Sequence, residues 1–484
     1  MDRGTRAVVA AAIMGVGLAA CGGGGGGPAG PSGPPVLNSV NGALKPSGPT
    51  GSTVILQGSN FGATQGSSVV LFAKSGGGAD TAVIASAADW TNTFIVTTVP
   101  GTAATGPVRV VTALGTSDSL TFTVTQNAAF SPSTISWSAT TALPVGLSGH
   151  AATFASLAGP GTTNLVYVTG GADSTYAPRT TVYVAPVLST GQLGTWTAAT
   201  PLPAARAFHA AVVATPSNST VTGPGYLYVL GGDSTAAGAP VSTVYKATLD
   251  ATGAITAWAP TTSLPVPLHS LGAVIFNGNV YVAGGSTTGN VPVAAVYRAP
   301  ISPTGDLGPW VALTALPFKR SYCGLVNFGL YLYVFGGDSG TVTPNDSSIA
   351  SATRVADIDV VKIDIRTGNL APAWSLNGST LIKQVAKHTA VAAGGDVLIT
   401  AGLYNGAGSG ATEESYAQFN PDGSVGSVNG ATGSHTIASN EPGVDLFNHA
   451  ALSVVDGSGT AHVLVLGGDN VNAPGKMRKE VWIY

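Results

Sequence analysis

The chain is expected to fold entirely as β-structure: a ring of six four-stranded units over 128–484, preceded by a small β-sandwich over 36–127. Three observations predict this. Short β-branched runs bounded by Gly, Pro, Ser and Asn recur along almost the whole chain of 484 residues. Glycine pairs follow apolar strands at Gly170-Gly171, Gly231-Gly232, Gly284-Gly285, Gly336-Gly337 and Gly467-Gly468, with Ala401-Gly402 as a degenerate sixth. The final unit stops one strand short, and the missing strand stands ahead of the first.

Composition sets the frame. Hydrophobic residues make up 44% of the chain and only 8% of residues are charged, against about 25% in an ordinary soluble protein. A net charge of −3 leaves no basic footprint, so nucleic acid is not an expected partner. So weakly charged a surface repels little and is open to self-association. The two cysteines, Cys21 and Cys323, offer no disulfide framework if the first is consumed at the N-terminus.

Residues 1–20, MDRGTRAVVAAAIMGVGLAA, carry Arg3 and Arg6 ahead of an apolar run too short to span a bilayer comfortably, as in a secretory signal peptide. Leu18-Ala19-Ala20-Cys21 resembles the lipobox of bacterial lipoproteins. That resemblance implies cleavage before Cys21, lipidation of its thiol and a membrane anchor. Gly22 stands where an aspartate favours inner-membrane retention, so the resemblance implies the outer membrane or cell surface. Residues 21–35, rich in Gly and Pro, form a tether.

In 36–127 the runs VLNSV, STVILQGSNFG, SSVVLFA, TAVIAS, NTFIVTTVP, GPVRVVTALG and SLTFTVTQ read as strands. GSTVILQGSNFG, with VP at 99–100 and GPVRVVT, resembles an IPT/TIG immunoglobulin-like domain, whose relatives serve as spacers or binding modules. Gly58 and Gly62 are expected to permit a tight loop around Asn60-Phe61.

Each later unit has four markers. A histidine slot holds His150, His209, His269, Cys323, His388 and His449, at spacings of 59, 60, 54, 65 and 61 residues. The glycine pair follows, then Val-Tyr strands such as TTVYVAP, STVYKAT and AAVYRAP. A turn with tryptophan ends the unit, as in STGQLGTW, ATGAITAW, PTGDLGPW and RTGNLAPAW. The last unit ends on KEVWIY without its tryptophan strand, and TISWSATTALP with Trp137 supplies one from the N-terminal side, so closure of the ring is expected.

These markers resemble the kelch repeats of a six-bladed β-propeller. The recurring glycines are read as fold devices. One histidine per unit is spread around a ring, whereas a metal needs three or four ligands converging at about 2 Å, so no metal or other cofactor is expected. Kelch relatives meet partners on the face of the inter-strand loops. The resemblance places Arg206, Arg320, Tyr322, Asp233, Asp338 and Tyr404 there as candidate ligand contacts, with Arg206 and Arg320 matching an arginine that kelch repeats often carry and Leu147, Val266, Val385 and Leu446 standing in the other units. Long connections at 338–355, 403–415 and 429–448 direct attention to the fourth and fifth units.

The expected function is a non-enzymatic surface or periplasmic lipoprotein binding a protein or a glycan. Two alternatives stand beside it: an exported kelch-type enzyme, copper oxidase-like or sugar-isomerising, and a structural subunit of a surface assembly. Copper chemistry of that kind needs a cysteine beside a tyrosine, and Tyr322-Cys323, as neighbours on a strand, point to opposite faces.

Overall fold

The computed structural model describes residues 33–125, 137–158, 162–344, 353–404, 414–420, 422–430, 446–456, 460–470 and 477–484. Among them the chain is nearly all β, with one short 3-10 turn at Ala87–Asp89, and its arrangement is propeller-like. Signal peptide, Cys21 and most of the tether lie outside the described residues, as do parts of all three long loops.

The N-terminal unit is two facing sheets. Val36–Val40, Thr53–Ser59 and Phe94–Thr98 form one; Ser47–Pro49, Leu120–Thr125, Ala103–Thr112, Val69–Lys74 and Ala79–Thr81 form the other in that order. Alternation along these strands turns Val54, Leu56, Val70, Phe72, Val108, Val110 and Phe122 into a common core with Phe61 and Trp90. Asn60 and Gly62 take left-handed φ values of +61° and +93°. Gly58 is needed for another reason than its φ: a Cβ there would sit 1.9 Å from the Val36 carbonyl oxygen. TAVIAS is strand only as far as Thr81.

Beyond it lie six four-stranded sheets. Their first strands are Ala151–Ala158, Ala210–Ala214, Gly272–Phe276, Gly324–Phe328, Thr389–Ala393 and Ala450–Val455. Each touches the first strand of the next sheet, and the last touches the first. The sixth sheet is completed across the chain ends: Ser138, Ala139 and Thr140 pair antiparallel with Ile483, Trp482 and Val481. Ser138–Thr140 is thus the outer edge of that sheet.

Recurrent side chains tie neighbouring sheets together. The indole N–H groups of Trp196, Trp258, Trp310 and Trp374 donate to the carbonyls of Thr141, Thr200, Thr262 and Thr314, each in the preceding sheet's outgoing segment, at 2.9–3.0 Å. Trp137 donates instead to Glu414 Oε1. Further in, the hydroxyls of Tyr167, Tyr228 and Tyr281 donate to the carbonyls of Gly253, Gly305 and Gly368 in the next sheet's turn. Those glycines have φ of +71° to +84°, which explains the Thr-Gly turn in the repeat.

The sandwich packs on the ring at the ends of the inner hairpins. Ile55, Phe94 and Val96 join Phe276 in one apolar cluster, the Lys45 N–H donates to the Pro216 carbonyl at 2.8 Å, and Gly42 lies against the Asn277 turn.

A chain ending at Glu480 loses the buried Val481 and Ile483 and frees the apolar edge of Ala461–Leu466. Two buried aliphatic side chains are worth about 3–6 kcal/mol. The truncated chain is expected to melt at least 5 °C lower and to aggregate on gel filtration; a monodisperse product with the parent melting temperature would sink the closure argument.

Candidate functional site: the ring axis and its loop face

Around the axis, six residues at one register position share a left-handed backbone: Gly149, Phe208, Ser270, Tyr322, Lys387 and Asn448, with φ of +52° to +57°. They are joined head to tail. Phe208 N–H donates to Gly149 O (2.7 Å), Ser270 to Phe208 (2.7 Å), Tyr322 to Ser270 (3.1 Å), Lys387 to Tyr322 (3.1 Å), Asn448 to Lys387 (3.2 Å), and Gly149 back to Asn448 (2.8 Å). This is a closed cycle of backbone hydrogen bonds. A left-handed non-glycine residue costs about 1 kcal/mol or more, so the cycle holds five such residues in place. Gly149 is glycine because a Cβ there would lie 2.4 Å from the Phe208 ring.

The next residue in each sheet fills the slot assigned to histidine. His150, His209, Cys323, His388 and His449 occupy it, but the third sheet places Leu271 there, and His269 stands two residues earlier. Ser270 carries the positive φ of the cycle, and a Cβ on Gly285 meets Leu271 as one on Gly171 meets His150. The same shift makes Leu268, rather than Val266, the counterpart of Arg206 and Arg320: the second glycine of each pair donates its N–H to Arg206, Leu268, Arg320, Val385, Leu446 and Leu147 in turn.

The glycine pairs now have a cause. Both members have positive φ, as at Gly336 (+52°) and Gly337 (+106°). A Cβ on the second would lie 2.6–3.0 Å from the Cβ of its own sheet's slot residue, and one on Gly170, Gly336 or Gly467 would lie 2.8–3.1 Å from Cε1 of the following sheet's histidine. His150, His209 and His388 are thus clamped between glycines of two sheets, and His449 has Ala401 in place of the first glycine of the preceding pair. Burial drives its protonation down from the usual 6.5, to about 4 at His150 and His388 and about 3 at His209 and His449. His209 and His449 bond Thr169 Oγ1 and Thr400 Oγ1 at 2.8 Å through Nε2. The Cys323 thiol is buried and free, and burial pushes it up to about 11, away from thiolate chemistry. Among the described residues no three His, Cys, Asp or Glu side chains converge as metal ligands would.

The candidate contact residues are largely internal. Arg320 is 0% exposed; its guanidinium pairs with Asp359 at 2.5 Å and donates to the Gly336 carbonyl at 3.1 Å. Arg206 is buried with its guanidinium 5.3 Å over the Tyr245 ring. Tyr245 and Asp359 hold equivalent places in their third strands, so one site is filled by a cation–π contact in one sheet and an ion pair in another. Asp338 is buried and accepts from Gly340 N–H and Thr353 Oγ1, bracing the loop it opens. Asp233 is buried with neither carboxylate oxygen hydrogen-bonded, His269 Nδ1 lying 3.7 Å away; burial raises it to about 7. Tyr322 belongs to the axial cycle. Tyr404 lies in the two-residue strand Leu403–Tyr404 paired with Val385–Ala386. Arg206, Arg320, Tyr322, Asp233 and Asp338 share one physical cause: turns packed between converging sheets bury their polar side chains against neighbouring protein rather than solvent.

On the loop face the axis is closed. Phe208, Tyr322, Lys387 and Asn448 are all buried. Lys387 Nζ donates to the carbonyls of Thr343 and Pro344 at 2.9 and 3.0 Å and lies 5.1 Å over the Tyr322 ring; Asn448 Nδ2 donates to Pro344 at 2.9 Å. Beneath this cover is a cavity of about 260 Å³ bounded by the cycle, the slot residues and the two residues after them. Among the residues the loop face exposes are the apolar Phe318 (57%), Ile382 (48%), Val291 (46%) and Val145 (43%), beside the exposed polar Lys319, Gln384 and Arg179. The first three belong to connections around the third, fourth and fifth sheets.

Two outcomes are expected. Arg320→Ala leaves Asp359 buried and unpaired, a cost of about 3–5 kcal/mol readable by denaturant unfolding; Arg320→Leu/Asp359→Tyr, which copies the leucine and tyrosine of other sheets, recovers most of it, and failure of the double variant to exceed the single one refutes the brace. In pH, the four slot histidines and His269, lowered to about 4, contribute stability that is full above 6.5 and lost as pH falls through 4 to 3. Asp233 and Glu414, raised from 3.8 and 4.5 to about 7 and about 8, contribute in the opposite sense, declining as pH rises through those values. Stability is therefore greatest near pH 6.5 and falls on both sides; a melting temperature that climbs monotonically to pH 9 contradicts the assignment.

No protein-family model and no curated protein matches the chain. Among solved structures, the one titled "Structure of YjhT" is 16% identical, covers 71% of this chain and 96% of its own, and superposes with a TM-score of 0.48.

Proposed function

We infer that this is an exported lipoprotein, anchored through Cys21, in which an IPT/TIG-type immunoglobulin-like domain carries a six-bladed kelch-type β-propeller closed by Ser138–Thr140. Its work is binding, and the partner is a protein docked on the loop face. The observation that carries this reading is the placement of Phe318, Ile382 and Val291 on one end of three successive blades. They stand where the polar candidates are folded inward. Exposed aromatic and aliphatic anchors at the ends of strands favour a protein surface over a small charged ligand. The sandwich packs on the opposite end, at Asn277 and Pro216, so the loop face points away from the tether.

A photo-reactive side chain placed at 318 or 382 in the full chain, on intact cells, is expected to give a discrete adduct with another protein. The same group at Leu188, exposed on the outer part of the first blade, should give none. Equal labelling at all three positions, or none at 318 and 382, rejects the reading. An adduct with a second copy of the chain identifies self-assembly instead.

A further inference from the structure

We propose that the axial cavity is a binding site for a small neutral polyhydroxylated molecule, such as a single sugar ring or a linear polyol, entered from the end of the ring that bears the sandwich.

The cavity has one closed end. Phe208, Tyr322, Lys387 and Asn448 are buried over it, and the Thr343–Pro344 carbonyls are tied down by Lys387 and Asn448. Away from that cover, solvent reaches the inner strands: Ala152, Ala273, Leu325, Ala390 and Ala451 are half-buried, and so are Val274, Asn327 and Ser453 farther along. The bore is therefore open toward the inner hairpins, where the Asn277 and Pro216 turns meet the sandwich.

Its wall is made of backbone. Ala152, Ala211, Ala273, Leu325, Ala390 and Ala451 share one register position, and the position before them holds Ala, Gly or Thr. These side chains fill the narrow gap between neighbouring sheets. A Cβ on Gly272 would lie 2.4 Å from Leu325 Cβ, and one on Gly324 2.5 Å from Ala390 Cβ. Each inner strand is the end strand of its sheet, so a row of peptide N–H and C=O groups on each is left without a sheet partner. Six such edges converge on about 260 Å³.

That wall selects by chemistry. It offers alternating donors and acceptors, and the slot histidines around it are neutral. The single charged lining side chain, Lys387, is turned to the Thr343 and Pro344 carbonyls. A charged ligand entering would be desolvated without a counter-charge. A hydroxyl-rich neutral molecule exchanges its water for peptide groups of both polarities. The volume lies at the lower end of small-molecule sites, which limits the occupant to about one ring.

The test uses the full chain and amide-resolved NMR titration with glucose, galactose and mannitol, against glucuronate as the charged control. Shifts at Gly272, Gly324 and Gly149 with the neutral compounds, at least tenfold weaker with glucuronate, are the expected result. Ala451→Leu, which overfills the gap between the fifth and sixth sheets and so distorts the bore beside it, should weaken binding at least tenfold, whereas Phe318→Ala should leave it unchanged; where Ala451→Leu does not fold, the shift map on the parent chain decides. Shifts confined to the loop face, equal response to glucuronate, or no response to any of the three at 50 mM overturns the proposal. None of these outcomes bears on the adducts expected at 318 and 382.

Discussion

Six backbone hydrogen bonds around the axis are the constraint on which the remaining structure depends. Each links two neighbouring sheets, and each demands a left-handed residue whose local cost is repaid only when the neighbours on both sides are in place. The cycle therefore favours all six sheets or none. Closure by Ser138–Thr140 at the rim and closure of the cycle at the axis, Gly149 to Asn448, join the same two blades to the rest of the ring from opposite radii. Indole and tyrosine bonds then repeat the same linkage at intermediate radii.

The axial geometry also accounts for chemistry that a sequence invites one to misread. A histidine clamped between glycine Cα atoms of two sheets cannot take up a proton without losing hydration it cannot replace. Its role is to be a flat, neutral spacer of fixed thickness. Cys323 and Leu271 substitute for it because thickness and burial, rather than basicity, are what the place requires. The buried polar turns obey the same rule. Arg320 is tolerated at zero exposure only because Asp359 replaces the tyrosine found at that place in other sheets.

The repeat architecture is legible because its markers are local: five glycine pairs and four tryptophan turns recur at a near-constant period. The closing strand was legible because a missing marker at one end matched a surplus marker at the other. Two things were not. The third unit's His269 follows His209 by an unremarkable 60 residues, yet it stands two residues out of register, as the positive φ of Ser270 and the contact of Gly285 with Leu271 reveal. Exposure was also misjudged: Arg206, Arg320, Asp233 and Asp338 follow loop-like signals, yet loops converging on an axis bury one another. The small pairs after the slot, His-Ala-Ala in three units and Gly in two, carried information that was overlooked. They mark where neighbouring strands approach most closely and hence where the bore lies.

The two ends of the ring differ because the sandwich breaks their equivalence. Strand direction puts every inter-blade connection and every glycine-pair loop at one end, where crowding seals the axis and pushes the apolar tips of Phe318, Ile382 and Val291 outward. Toward the inner hairpins the strands stay half-exposed, and the sandwich packs at that end, on the turns at Asn277 and Pro216. Recognition of a large surface and recognition of a small molecule thus make opposite demands, one for projecting side chains and the other for converging backbone. A ring that met both would have to separate them along its axis.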